Sequence, residues 1–278
     1  MAISAKEVNR LRQATGAGMM DCKKALTEAD GDFDKAVELL RKKGQKVSAK
    51  RADREASEGA IFIASSEDGK EATLIELNCE TDFVARNEDF QAMGDSIASA
   101  AQAANPADLA GLQAMEVNGQ TVEALLTDAM GKIGEKIAVS KYERIQGESV
   151  TTYLHPGSRI GVAVAFTNTD GKDVEKVGKD VAMQIAAMSP VGLDKDSVPA
   201  EVVENELRIG REKAIAEGKP EKIIDKIAQG MLNKFFKENT LLHQDFVKDT
   251  SKSVIKYIQD ELGKDVTVSA YKRVQLGQ

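Results

Sequence analysis

The sequence predicts an α+β fold: an N-terminal three-helix bundle, then a hairpin-plus-helices core present twice, with an antiparallel helical hairpin inserted in the second copy. Three observations predict it. Apolar residues recur at helical spacing through residue 44 and at strand spacing from residue 58. The stretch "IGEKIAVSKYERIQG", starting at Ile133, returns from Leu262 as "LGKDVTVSAYKRVQLG". At that fixed offset Gly134, Val139, Ser140, Tyr142, Arg144 and Gln146 meet Gly263, Val268, Ser269, Tyr271, Arg273 and Gln275. Finally, a long helical stretch interrupts only the second copy, over about 198–245.

The elements follow in order. "SAKEVNRLRQATG" reads as a helix capped by Ser4, with Val8 and Leu11 inward and a stop at Thr15-Gly16. "GAGMMDCKKALTEADG" is a second helix, its apolar face running from Met20 to Leu26 and its end at Asp30-Gly31. In the third, Phe33, Val37 and Leu40 share a face and Gly44 is the expected stop. Residues 1–44 thus form a bundle too small for much of a core, a size that suits a docking module. Residues 45–57 are expected as a basic linker. The run "RKKGQKVSAKRADR" holds seven Lys/Arg, and without interleaved aromatics it reads as a solvated segment before an RNA-binding patch.

Two β-rich runs surround Asp68-Gly69, a hairpin signal. A helix closed by Pro106, another over 121–132 and a strand in which Ile137, Val139 and Lys141 alternate with Ala138, Ser140 and Tyr142 complete the first copy, 58–147. The second copy, 148–278, repeats the plan with a hairpin and a helix closed by Pro190. Its insertion is two helices joined at Gly218-Lys219-Pro220, where Val203, Leu207 and Ile215 are expected to oppose Ile223, Ile227, Met231 and Phe235. Such a hairpin serves a partner, a dimer contact or its own domain.

Composition narrows function. The 278 residues carry 38 basic and 45 acidic side chains, a net charge of −7, which argues against a dedicated nucleic-acid binder. Two cysteines without a pairing pattern, an N-terminus without an apolar signal region and no apolar run near the ~20 residues of a membrane span point to a soluble, cytoplasmic protein. There is no phosphate-binding loop, and "TGAG" at 15–18 follows a helix with too few glycines to cradle a phosphate. His155 and His243 do not stand at metal-ligand spacing from Cys22 and Cys79. A Cys79–His155 nucleophile pair competes with Cys79 as a small apolar filler. No catalytic residue, metal ligand or cofactor is expected.

One short stretch stands apart. Setting "LIELNCETDF" over "VAVAFTNTDG" pairs Thr81-Asp82 with Thr169-Asp170 but Phe83 with Gly171. Asp82 and its counterpart Asp170 are the expected N-cap or turn formers, whereas the ring is present once. A core role demanded by the fold would appear twice, so Phe83 reads as facing a partner.

In order, "TGAGMMDCKKAL" (15–26), "ETDFVA" (80–85) and "RIGVAV" (159–164) resemble the bacterial translation elongation factor Ts family. The resemblance implies a ubiquitin-associated-like bundle, two similar subdomains and guanine-nucleotide exchange on elongation factor Tu in its GDP-bound and nucleotide-free forms. It implies that Thr81, Asp82, Phe83 and Val84 enter the partner's G domain and dislodge Mg²⁺, so that GDP leaves. It also implies contacts from Met19, Met20, Lys23, Ile133, Gly134, His155 and Val247; the helical hairpin leaves open a homodimer or 2:2 complex formed through it. By their own pattern Met19 and Met20 read as a helix start with Met20 partly inside, and Gly134, repeated as Gly263, as a turn. The polar residues after Phe246-Val247 in "DFVKDTSKSV" depart from the family pattern. Two rivals remain at this level: a ubiquitin-associated-type adaptor without exchange activity, and an RNA-linked factor using 41–54.

Overall fold

A computed structural model describes residues 3–278. Three helices come first: α1 (Ala5–Thr15), α2 (Met19–Glu28) and α3 (Phe33–Arg51). Ser4 caps α1 in a reciprocal box with Glu7, and Gly16 ends it in the left-handed conformation. Asp32 caps α3 by accepting from the Lys35 amide. Val8, Leu11, Cys22, Leu26 and Ala36 form the shared core. Gly44 does not stop α3, which continues to Arg51, so half of the expected linker is helix.

The first sheet follows. It contains β1 (Glu58–Ser65), β2 (Glu71–Cys79) and, after intervening helices, β5 (Ala138–Gln146), in the antiparallel order β1-β2-β5. Between β2 and β5 lie α4 (Asp82–Ala85), α5 (Glu88–Ala104), α6 (Leu109–Ala114), a two-residue ribbon of β3 (Glu116–Val117) and β4 (Gln120–Thr121), and α7 (Val122–Ile133). The second sheet holds β6 (Ser149–Leu154), β7 (Ile160–Thr167) and β10 (Thr267–Gln275), in the order β10-β7-β6. Its other elements are α8 (Glu175–Met188), α9 (Ala200–Ala216), α10 (Glu221–Asn239), β8 (Asp245–Phe246), β9 (Asp249–Ser253) and α11 (Val254–Leu262).

The two sheets lie back to back. Phe62, Ile75 and Leu77 face α5 and α7, where Phe90, Ile97 and Leu126 bury them. The alternate residues Ile61, Ala72 and Leu74 meet Val150, Ala163, Ala165 and Val274 of the other sheet. Val162, Val164 and Phe166 then face α8 and α11. A strand buried on both faces calls for a continuous apolar run, which β7 carries; β2 is as buried but is interrupted by Thr73, Glu76 and Asn78. Inside this interface Glu76 accepts from the Asn78 side chain at 2.8 Å and the Gly277 amide at 2.9 Å, and Lys141 stands 3.2 Å away.

The expected alternation along β5 fails after Val139. Val139 pairs with Leu77 and Lys141 with Glu76, so Ser140 is the extra residue of a bulge. Beyond it the faces exchange: Tyr142 joins the helix-side core and Lys141 turns to Glu76. The same irregularity falls between Val268 and Ala270, at Ser269. The Tyr142 hydroxyl donates to the Pro106 carbonyl (2.9 Å), and the Tyr271 hydroxyl to that of Pro190 (2.6 Å).

The helical hairpin differs from expectation in its seam. Gly210, Ala214, Ala228 and Leu232 are buried between α9 and α10, while Ile215 and Ile223 are exposed. A Cβ on Gly210 would lie 3.0 Å from the Ala228 Cα. Backbones this close leave no room for a longer side chain where Gly210 crosses Ala228. The two helices pack chiefly on each other and project from the second sheet, rather than lying on their own domain.

Glycines also set the approach of α3 to α7. A Cβ on Gly131 would stand 2.7 Å from the Gly44 Cα. A mid-helix glycine costs about 1 kcal/mol against alanine, and here it permits direct backbone contact. Gly131→Ala is expected to force the helices apart and destabilise the protein by about 1–3 kcal/mol, read as a lower urea midpoint at unchanged slope.

Candidate functional site

The tip begins where β2 ends. Thr81 has extended backbone and its hydroxyl accepts from the Val84 amide at 3.4 Å, so Thr81, not Asp82, is the N-cap of α4. Asp82 occupies the first helical turn, where the helix dipole favours a carboxylate, and pairs with Arg86 at 3.1 Å. One helical turn sorts four side chains. Ala85 is buried and Val84 packs half-buried on the helix-side core, whereas Asp82 and Phe83 point away. Phe83 is 82% exposed, the most exposed of the large apolar side chains among the described residues.

Two carboxylates brace this loop. Glu135 accepts from both the Thr81 amide (3.0 Å) and the Thr81 hydroxyl (2.8 Å). Glu80 accepts from the Lys136 amide (2.6 Å), from Arg51 (2.6 Å) and from Arg54 (2.9 Å). Burial would raise the Glu80 pKa, but those three donors outweigh it and hold it down at about 2. The Cys79 thiol donates to the Thr81 carbonyl at 3.1 Å. Burial, then the nearby Glu135 charge, pushes that thiol up to about 12, so Cys79 stays protonated. The expected alternative of a Cys79–His155 nucleophile pair is overturned: His155 is exposed, with Nδ1 2.9 Å from the Tyr153 hydroxyl.

Other expected site residues gather near the tip. Ile133 is half-buried beside it, and a shallow cleft is lined by Thr81, Phe83, Val84, Asn87, Ile133 and Glu135. Gly134 ends α7 at φ 79°, and Gly263 ends α11 at φ 106°, so both act as turn residues. The loop after α1 touches the same end of α7, for a Cβ on Gly16 would lie 3.2 Å from the Lys132 Nζ. At the start of α2, which follows that loop, Met19 (56% exposed), Met20 (74%) and Lys23 face outward; Met20 is not part of the bundle core. The β6–β7 turn carrying His155 lies against the start of β1, through the Ile61 amide on the Ser158 carbonyl (2.8 Å) and Arg159 on Glu58 (2.7 Å). Since Glu58 pairs with Cys79, this turn is at the tip's end of the sheets. Val247 stands elsewhere. It is exposed on the β8–β9 turn, its amide held by Gln184 at 2.8 Å, while Phe246 is buried and stacked on Tyr257.

Sequence reasoning missed Glu80, Glu135, Arg51 and Arg54. Glu135 is 54 residues from Thr81, and nothing local marks such a bond. The second sheet has a corresponding but plainer loop. Glu148 accepts from the Thr169 amide (2.9 Å) and hydroxyl (3.3 Å). Asp170 and Gly171 then turn through positive φ, where the first loop makes α4.

The fold carries an exposed ring on a braced loop and no enclosed catalytic cluster among the described residues, an arrangement suited to docking. Among the described residues no group of three His, Cys, Asp or Glu side chains could hold a metal ion, and no helix is long and apolar enough to cross a membrane. The family model for elongation factor Ts matches residues 80–278. Elongation factor Ts of Amoebophilus asiaticus is 51% identical over 277 residues, covering the whole of both chains. That of Cytophaga hutchinsonii is 52% identical over 275 residues and that of Chlorobaculum tepidum 45% over 284, each covering 99% of both chains. The chain belongs to the elongation factor Ts family.

The depressed pKa of Glu80 has a pH signature. Its contribution to stability is complete above the ordinary value of 4.5 and is lost as the pH falls towards 2. In urea titrations wild type is expected to be more stable than Glu80→Gln near neutrality, with the difference shrinking from pH 4.5 downward.

Proposed function

We infer that this chain acts as its family does: it is the guanine-nucleotide exchange factor of elongation factor Tu in translation elongation, and not an enzyme. We propose further that the Thr81–Val84 tip performs the exchange step. The observation that carries this reading is an 82% exposed phenylalanine on a loop whose every other anchor is satisfied. A ring left in water gains roughly 1.5–3 kcal/mol when a partner buries it. Some of that can displace a helix beside the partner's nucleotide. Mg²⁺ tolerates little distortion of its octahedral shell, so a small shift there weakens GDP binding. Phe83 is the wedge and Asp82 its polar neighbour.

Linkage sets the size of the task. Weakening nucleotide binding tenfold requires about 1.4 kcal/mol of preference for the empty partner. One ring does not supply several such factors, so further docking surfaces are needed. Met19, Met20, Lys23, Ile133, Gly134 and His155 share the tip's end of the molecule and suit that part; exposed Val247 would add a separate contact. The partner is elongation factor Tu, GDP-bound and nucleotide-free, and the place of action is the cytoplasm.

We read the architecture as α1 to α3, with α3 running on to Arg51, forming a ubiquitin-associated-like bundle and 58–147 and 148–278 forming two copies of one unit. The matching bulges at Ser140 and Ser269 and the matching Tyr142 and Tyr271 anchors support the duplication. Residues 198–245 are the insertion of the second copy.

Release of a fluorescent GDP analogue from elongation factor Tu tests the reading. Phe83→Ala is expected to leave the thermal midpoint unchanged and slow release by tenfold or more, consistent with loss of ~1.5–3 kcal/mol. Phe33→Ala, which removes a half-buried ring 4.5 Å from the Arg10 guanidinium, is expected to lower the stability of the N-terminal helices instead. Equal release with wild type and Phe83→Ala would refute the wedge.

A further inference from the structure

The basic run at 41–54 finds a use at its last two arginines. Arg51 and Arg54 both donate to Glu80, the residue immediately before the tip. The clasp is reciprocal, because Lys136, whose amide also donates to Glu80, sends its Nζ to the Ala52 carbonyl (2.6 Å) and the Arg54 carbonyl (2.7 Å). Glu80 and Arg51 keep only 15% and 24% of their side-chain surface. The clasp therefore ties the C-terminal end of α3 to the tip and to the loop after α7.

The second sheet supplies an internal comparison. Asn168 occupies the position of Glu80, just before Thr169, and its amide donates to the Asp265 carbonyl at 3.0 Å. Asp265 corresponds to Lys136 at the repeat offset. The loop-to-loop contact thus exists on both sheets, with a neutral side chain sufficing on the second. A carboxylate appears only where two arginines of α3 must be held. Closing the loop does not require the charge; attaching α3 uses it.

We propose that Glu80, Arg51 and Arg54 are positioning residues for nucleotide exchange, fixing the Met19–Met20–Lys23 surface relative to Phe83. This rests on the exchange reading above. With the clasp closed, the N-terminal helices and the tip meet the partner as one body. With it open, α3 keeps its contact with α7 at Gly44 and Gly131 but its C-terminal end is released, and the second contact forms at the lower effective concentration that a looser attachment allows. The loss then falls on affinity, since the wedge still acts once bound.

The experiment uses the full chain, elongation factor Tu and a fluorescent GDP analogue. Glu80→Gln and the double variant Arg51→Ala/Arg54→Ala are each expected to raise the half-saturating concentration about tenfold, with the saturating release rate held within about twofold. Met20→Ala is expected to cost less affinity in the Glu80→Gln background than in wild type, because the two surfaces no longer act together. Arg51→Lys/Arg54→Lys, which keeps both charges, is expected to recover most of the loss. The arginine variants lie outside the sheets, so they remain informative if Glu80→Gln unfolds. Amide hydrogen exchange on the protein alone gives a second reading, with faster exchange expected at 52–54 and Lys136 in the variants. Unchanged protection there together with an unchanged half-saturating concentration overturns the proposal. Wild type failing to accelerate release would instead remove the exchange reading; unaltered Met20 coupling in the variants would remove the positioning role alone.

Discussion

A side chain that reaches into solvent is only as well placed as the backbone beneath it, and Phe83 has no packing of its own to hold it. Its position depends on the carboxylate of Glu135 closing on Thr81 through two hydrogen bonds. Thr81 then caps the turn that presents Asp82 and Phe83 outward and Val84 and Ala85 inward. Charge-assisted bonds of this kind are about twice as strong as neutral ones. They also pair the main-chain donor of the cap residue itself. Glu80 does the same one residue earlier, and its depressed pKa reflects how completely it is surrounded by donors.

The back-to-back sheets decide which end of the molecule carries the site. Large residues on the first sheet are met by small ones on the second: a Cβ on Gly161 would lie 2.6 Å from the Ile61 Cγ2. Ala163 and Ala165 continue the same face. This complementarity fixes the sheets against each other and brings the β6–β7 turn to the start of β1. His155 and the tip thereby share one end, although 72 residues separate His155 from Phe83 in the chain. The loop at Thr169–Gly171 follows the other end of β7, away from them.

Much of this was legible in the sequence because it is periodic or repeated. The hairpin at Asp68-Gly69, the Ser4 cap, the long helices and the return of "VS-Y-R-Q" in β10 each leave a local trace. The exposed ring was legible through the repeat, since Gly171 stands where Phe83 does. What escaped is what depends on distant partners. Gly44 looked like a helix stop because its reason for being glycine, Gly131, is 87 residues away. The bulge at Ser140 breaks an alternation that the strand alone gives no cause to break. Ile215 and Ile223 were expected inside the helical hairpin because apolar spacing does not reveal that Gly210 and Ala228 had already closed the seam. The short β8–β9 ribbon and α11 were missed, though Val254, Tyr257, Ile258 and Leu262 stand at helical spacing behind Ser253.

On the proposed mechanism, stiffness in the tip is a thermodynamic requirement and not only a convenience. A ligand shifts an equilibrium between two partner states only by its difference in affinity for them. A phenylalanine on a compliant loop would settle onto the nucleotide-loaded partner nearly as well as onto the empty one, and would release nothing. A ring held by Glu135 through both the amide and the hydroxyl of Thr81 cannot retreat to suit the loaded state. The partner must move instead, and the movement falls on the ion whose geometry is least forgiving. The second loop, with glycine at the corresponding position and no helical turn, has the brace without the ring. Both loops are anchored by a carboxylate on threonine, so the anchor alone does not make a wedge. The wedge needs the anchor and the exposed ring together, and only the first loop joins them.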